Sequence, residues 1–253
     1  MSQGTGKNLK VMGETQSHGG TFDKVRIMGE CTIMGSAEAD SFKVMGECSV
    51  SGNLSSNLFK NMGEVTIDGN LAAHTVQLMG QTQVHGQCVL QQSSVYGECT
   101  VGKSLTGEAM KLRGVLSVAG DVSLESLDMR GGINVEGLLN CGTVDMILKF
   151  NAINKVKEIG AGRISVKRKQ SLFGASPTRR LRVETIEGDQ ISLEDTEAKI
   201  VRGTDVVIGD GCTVDRVEYS GSYLTSGTYR VGEAVRVTTD KKYGPGEDDE
   251  NGC

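Results

Sequence analysis

The side chains able to do chemistry in this sequence are few: three histidines, His18, His74 and His85, and seven cysteines. A histidine serves as a general base when a carboxylate orients it within reach of the group it deprotonates. His18 and His85 each stand five residues after a glycine, at positions that read as outward-facing corners. No carboxylate stands at a matching spacing to orient them, so they read as surface residues. Cys31, Cys48 and Cys99 fall in one column of a repeat, two of them neighbours. A disulfide or a metal site is the reactive option. The column's other members include Val65, Leu116 and Ile133, which makes small buried hydrophobes the better reading of these thiols.

Composition narrows the possibilities further. The 253 residues include 35 Gly, 2 Pro and no Trp, and aromatics make up 4%. A globular enzyme core of this size normally uses more large rings. The apolar fraction is low, 37%, yet its residues are β-branched and regularly placed, which argues against disorder. A net charge of −5 speaks against general nucleic-acid binding. No run of 18 apolar residues exists to span a membrane. The opening residues Met1 to Lys7 lack the apolar stretch of a secretory signal. Odd cysteine number without CxxC spacing suits a reducing compartment. The expectation is a cytoplasmic protein.

The elements that position these residues come from an internal repeat. KVMGET, RIMGEC, KVMGEC, KNMGEV, QLMGQT, SVYGEC, KLRGVL and DMRGGI recur, with glycines at 13, 29, 46, 63, 80, 97, 114 and 131. The first step is 16 residues and the next six are 17. Two residues before these glycines stand Val11, Ile27, Val44, Leu78, Val95, Leu112 and Met129, and four after them Ile33, Val50, Ile67, Val84, Val101, Val118 and Val135. Alternation within each segment has period two, the mark of strands with one buried face. The fold class expected is all-β: a single-stranded parallel β-helix, or β-solenoid, with 17-residue coils. Glycines fit its corners, through positive φ or close backbone approach.

Boundaries follow from the register. Residues 1–8 read as a flexible N-terminus and 9–150 as about eight regular coils. Residues 151–182 carry nine basic residues against one acidic residue and read as a basic insertion. Residues 183–239 resume the pattern as further coils or a cap, with Gly203 and Gly209 repeating the glycine spacing and Val201 and Val207 inward. Residues 240–253 read as a disordered acidic tail.

The segments KVMGECSVSGN, RIMGECTIMGS and VRGTDVVIGDGCTV make the chain similar to the bactofilins, bacterial polymer-forming cytoskeletal proteins, over roughly residues 9–240. That resemblance implies a right-handed helix whose protomers polymerise end to end without nucleotide or other cofactor. It implies roles in cell shape, motility or placing cell-wall enzymes. The partners would be the chain itself, the membrane surface, and cell-wall or motility proteins, with no nucleic acid. The segment Val207 to Cys212 is also similar to the hexapeptide acyltransferases, which are β-helical and use a catalytic histidine. That rival needs a placed histidine; a polysaccharide-active β-helix needs an acidic cluster on one face. A second rival is a non-polymerising scaffold capped by 183–239.

Four residue sets are candidates under the filament reading, and none is catalytic, metal-binding or cofactor-binding. Leu9, Val11, Val25 and Ile27 form the polymerisation end. Met28, Met45, Met62 and Met79, each before its glycine, either pack locally at a corner or form an adaptable stripe for lateral contact. Lys10, Arg26, Lys43, Lys60 and Lys111 precede the glycines and Glu14, Glu30, Glu47, Glu64 and Glu98 follow them, as solvated sides or as lateral spacers. Lys167, Arg168, Lys169, Leu172 and Phe173 combine charge with apolar side chains, as a peripheral contact with an anionic membrane requires.

Overall fold

The computed structural model describes residues 7–148, 154–168 and 180–238. Every described element is a strand, and the strands wind into a β-solenoid of about thirteen turns. Each strand pairs in parallel with its equivalent one coil on, as Val50 with Ile67 and Ile67 with Val84. In a regular coil a short strand, Glu47–Val50, follows the anchor glycine. A longer one, Leu54–Asn61, covers two further sides. Its alternation slips at Asn57 and Leu58, between buried Ser56 and buried Phe59, where the strand turns a corner.

One inward column shows the continuity: Val11, Ile27, Val44, Asn61, Leu78 and Val95 are successive partners. It continues through Leu112, Met129, Met146, Val166, Leu193 and Ile208. All twelve named side chains are at most 2% exposed. Each fully buried Val, Leu or Ile contributes roughly 1.5–3 kcal/mol, so the core is a stack of equivalent layers.

Over the described residues 154–168 and 180–182, that column overturns the reading of 151–182 as an insertion. Asn154–Arg168 is one coil of the solenoid, paired with Gly132–Leu148 on one side and Leu181–Leu193 on the other. Its basic residues Lys155, Lys157, Arg163 and Lys167 are the exposed half of a period-two strand whose other half, Val156, Ile159, Ile164 and Val166, is buried. The glycine register that revealed the earlier coils lapses here, because Val156 partners Val135 twenty-one residues back. Later coils are shorter: Val183 partners Ala198, fifteen residues on.

Two smaller corrections follow. Gly203 is not an anchor glycine, since it aligns with Gly188, Ala161 and Cys141 on another side of the coil. Val206 and Ile208 therefore point inward and Val207 does not. Lys7 and Asn8, placed in a flexible terminus, belong to the first strand, Lys7–Val11. The expected tail 240–253 lies outside the described residues.

Close approach, not backbone freedom, explains the anchor glycines. None has a positive φ. A Cβ at Gly29, Gly46, Gly63, Gly80, Gly97, Gly114 or Gly131 would lie 1.8–2.2 Å from the carbonyl oxygen of the preceding anchor glycine. A second corner is held by a side-chain ladder absent from the sequence reading. Ser36 Oγ accepts the Asn53 N–H at 3.0 Å, Asn53 Oδ1 that of Asn70 at 2.8 Å, and Asn70 Oδ1 that of Gln87 at 2.9 Å. Each bond satisfies a corner N–H that the sheet ladder misses.

Candidate functional site

The residues with chemical potential are dispersed over the solenoid. His18 and His74 are exposed. His85 does have an orienting carboxylate, contrary to the spacing argument: its Nδ1 lies 3.2 Å from Asp68 Oδ1, and its Nε2 3.0 Å from Gln83 Nε2. Asp68 stands seventeen residues earlier, so in a solenoid it is the neighbour one coil away. Both side chains of the pair are more than half exposed on a corner, 51% and 56%. The other hydrogen-bonding partner, Gln83, is no nucleophile. Among the described residues no group of three or more His, Cys, Asp and Glu is placed to hold a metal ion.

Cys31 and Cys48 are register partners, and Cys31, Cys48, Cys88, Cys99, Cys141 and Cys212 are free and buried. Burial pushes the Cys48 thiol up to about 12, with Cys31 beside it adding to the rise. Burial alone takes Cys99 to about 12. A thiol that holds its proton more tightly when folded stabilises the fold below the ordinary thiol value of 9.0, and that stabilisation is lost as pH rises toward about 12. Each such thiol contributes a slope of up to about 1.4 kcal/mol per pH unit across that window. Replacing Cys48 and Cys99 with Val, the residue that Val65 already places in this column, should flatten the alkaline fall in the urea midpoint. An unchanged alkaline limb would mean that other groups control it.

The Met column is exposed, with Met28 at 40% and Met12 at 68% as its extremes. Met28, Met45, Met62 and Met79 thus form a surface stripe, continued by exposed Tyr96 and then by Arg113 and Arg130. Arg113 turns to Asp128, whose carboxyl it holds below the usual carboxylate range. The cationic column Lys10, Arg26, Lys43 and Lys60 runs along one side of the Met stripe, and Glu14, Glu30, Glu47 and Glu64 along the other.

The candidate end residues separate into two layers. Leu9 and Val11 belong to the first coil and partner Val25 and Ile27 in the second. Val25 and Ile27 are at most 1% exposed, so they lie beneath the end and not on it; only Leu9 is half-buried. On the next side of this coil stand Thr15 and Ser17, in line with Cys31 and Ile33. The opposite end is mostly apolar, with one polar position in its inward columns, exposed Thr225, the partner of Ile208. Val214 and Val217 are sealed, while their partners one coil on, Val231 and Ala234, are half-buried and exposed. Leu224, Tyr229 and Val237 are exposed nearby in the chain. Sequence reading missed this end because the C-terminal coils lack the glycine register that marks the others.

Of the membrane candidates, Lys167 is exposed, and Arg168 forms an ion pair with Asp210 while its N–H bonds Glu194 Oε2 at 2.9 Å. Arg168 is therefore committed to a solenoid corner. Lys169, Leu172 and Phe173 lie outside the described residues. No described helix is long and apolar enough to cross a membrane.

The chain is similar to two proteins of Bacillus subtilis (strain 168). It is 45% identical over 67 residues to the uncharacterized protein YhbF, which is 26% of this chain and 28% of YhbF. It is 42% identical over 82 residues to the uncharacterized protein YhbE, 31% of this chain and 35% of YhbE. The chain thus matches about a third of the length of these relatives. No family model and no solved structure matches.

Proposed function

We propose that this chain is a structural scaffold of bactofilin type, whose protomers join end to end into nucleotide-independent filaments. The observation that carries the reading is the state of the terminal coils. Among the described residues, the strand Lys7–Val11 pairs only inward, with Glu14–Ile27, and Arg230–Arg236 pairs only with Thr213–Tyr219. At the second end two apolar columns end in half-buried Val231 and exposed Ala234, and a third in exposed Thr225. A free parallel edge over an unsealed core is a template for another chain, which supplies both hydrogen bonds and apolar cover. In this reading the protein is not an enzyme. It works in the cytoplasm or against the membrane surface, and holds cell-wall or motility proteins along its sides.

Thr15 and Ser17 make the first end partly polar, and this favours a second reading, a scaffold that does not polymerise. Negative-stain electron microscopy of the full chain at physiological salt, without nucleotide, separates the two. Filaments a few nanometres wide are expected, and Ala234→Glu or Leu9→Asp should reduce them to single rods with unchanged circular dichroism. Single rods from the unaltered chain would remove the filament reading and leave the scaffold.

A further inference from the structure

The two halves of the solenoid differ in how surface charge stacks, although Lys155 on Arg182 is a like-charge stack in the second half. In the C-terminal coils, opposite charges stack directly: Arg182 on Glu197, Arg202 on Glu218, and Arg216 on Glu233. Each stack closes as an ion pair, at 3.6, 2.7 and 2.8 Å respectively. In the N-terminal coils, like charges stack instead. Lys10, Arg26, Lys43 and Lys60 are successive register partners, as are Glu14, Glu30, Glu47 and Glu64. Neighbours in such a column are ~4.8 Å apart, and like charges directly opposite are destabilising. Among the described residues, none of these eight side chains forms an ion pair. Between the two columns runs the exposed ridge of Met12, Met28, Met45 and Met62.

We infer that this cation–methionine–glutamate block pairs with the same block of a second copy, the two solenoids running in the same direction. The direction follows from symmetry. A two-fold axis parallel to the solenoid axis brings Met onto Met and lays the cationic stripe of each copy over the glutamate stripe of the other, coil for coil. A two-fold axis perpendicular to the solenoid also brings Met onto Met, but reverses one copy and lays lysine on lysine and glutamate on glutamate. Charge complementarity therefore selects the parallel pair. The thioethers supply the apolar centre, flexible enough to interdigitate along a narrow ridge, and the charges left unpaired in the single chain gain partners. The pairing is lateral and does not depend on the solenoid ends joining. Between filaments, many such ridges would act together.

Disulfide trapping tests the direction. In a Cys253→Ser chain, Met28→Cys and Met62→Cys are made separately and oxidised with diamide. A parallel pair brings every ridge position opposite its own copy, so both variants should form cross-linked dimers. A perpendicular two-fold axis passes through one level of the ridge, so an antiparallel pair cross-links one of the two variants at most. Cross-linking of only one variant, or of neither, would overturn the proposal. Adding Glu30→Lys and Glu47→Lys should slow trapping at both positions on the order of tenfold, because lysine then faces cation. Raising salt from ~50 mM to ~500 mM should slow it in the unreversed variants, through screening. Trapping indifferent to both changes would mean that the charged stripes do not set the pairing.

Discussion

Gly80→Ala is expected to destabilise the solenoid by more than about 4 kcal/mol, whereas Gly13→Ala costs less than about 1 kcal/mol. The two glycines occupy near-identical local sequence, LMGQ against VMGE, and neither has a positive φ. What separates them is the coil in front. A Cβ at Gly80 would lie 1.9 Å from the Gly63 carbonyl oxygen and 2.8 Å from its carbon, while a Cβ at Gly13 meets nothing within 4 Å. The obstructing atoms are backbone. They cannot retreat without opening the bonds on either side, Met79 N–H to Asn61 O at 2.8 Å and Gln81 N–H to Gly63 O at 2.9 Å. Because each coil contacts mainly its neighbours, damage should be local. Native-state hydrogen exchange is therefore the better readout, with lost protection centred on the coils around Gly63 and Gly80. Equal costs at the two positions would mean that the glycines serve the backbone's freedom and not the coil spacing.

That distinction bears on what the sequence could disclose. The repeat made the fold legible, since period-two alternation and a constant step leave few architectures open. It could not say which property of glycine mattered, because positive φ and close approach select the same residue. Reading stopped where the step changed. Val156 and Ile164 alternate with basic residues as well as any earlier strand does, but without an anchor glycine their exposed charges dominated and a coil passed for an insertion. The His85 and Asp68 pair was missed for a related reason: catalytic spacings are sought within one element, and here the neighbour is one whole coil away. At the surface, the Met, Lys and Glu columns were visible as columns. Which of them were already paired was not, because pairing depends on which charge the next coil presents.

The polar break in the core at Asn61 lies wholly on the structural side of that divide. Asn61 is 0% exposed in a column otherwise made of Val, Ile, Leu and Met. Its Nδ2 donates to Gln81 O at 2.6 Å and to Thr82 Oγ1 at 2.9 Å, and its Oδ1 accepts the Gly63 N–H at 2.8 Å. Asn61→Leu should cost about 2–3 kcal/mol, because it strips partners from buried polar groups. Adding Thr82→Val should recover most of that loss. Valine already stands in the Thr82 column at Val65, and the Gly63 N–H can turn to Val44 O, as those of Gly97 and Gly114 do toward Leu78 O and Val95 O at 3.2 and 3.0 Å. A double-mutant cycle by urea denaturation should give a coupling of about 1–2 kcal/mol. A double variant no more stable than Asn61→Leu would show that the two side chains do not act as a unit. If it is restored, the polar pair is retained for something other than stability. Consecutive coils such as RIMGEC and KVMGEC are nearly interchangeable, so an apolar column tolerates a slip of one coil. Asn61 and Thr82 have their partner in one alignment only. A single buried polar contact is an established means of fixing register at some cost in stability. The restored double variant should therefore refold to a mixture of coil registers, visible as two exchange populations by mass spectrometry, where the natural chain gives one.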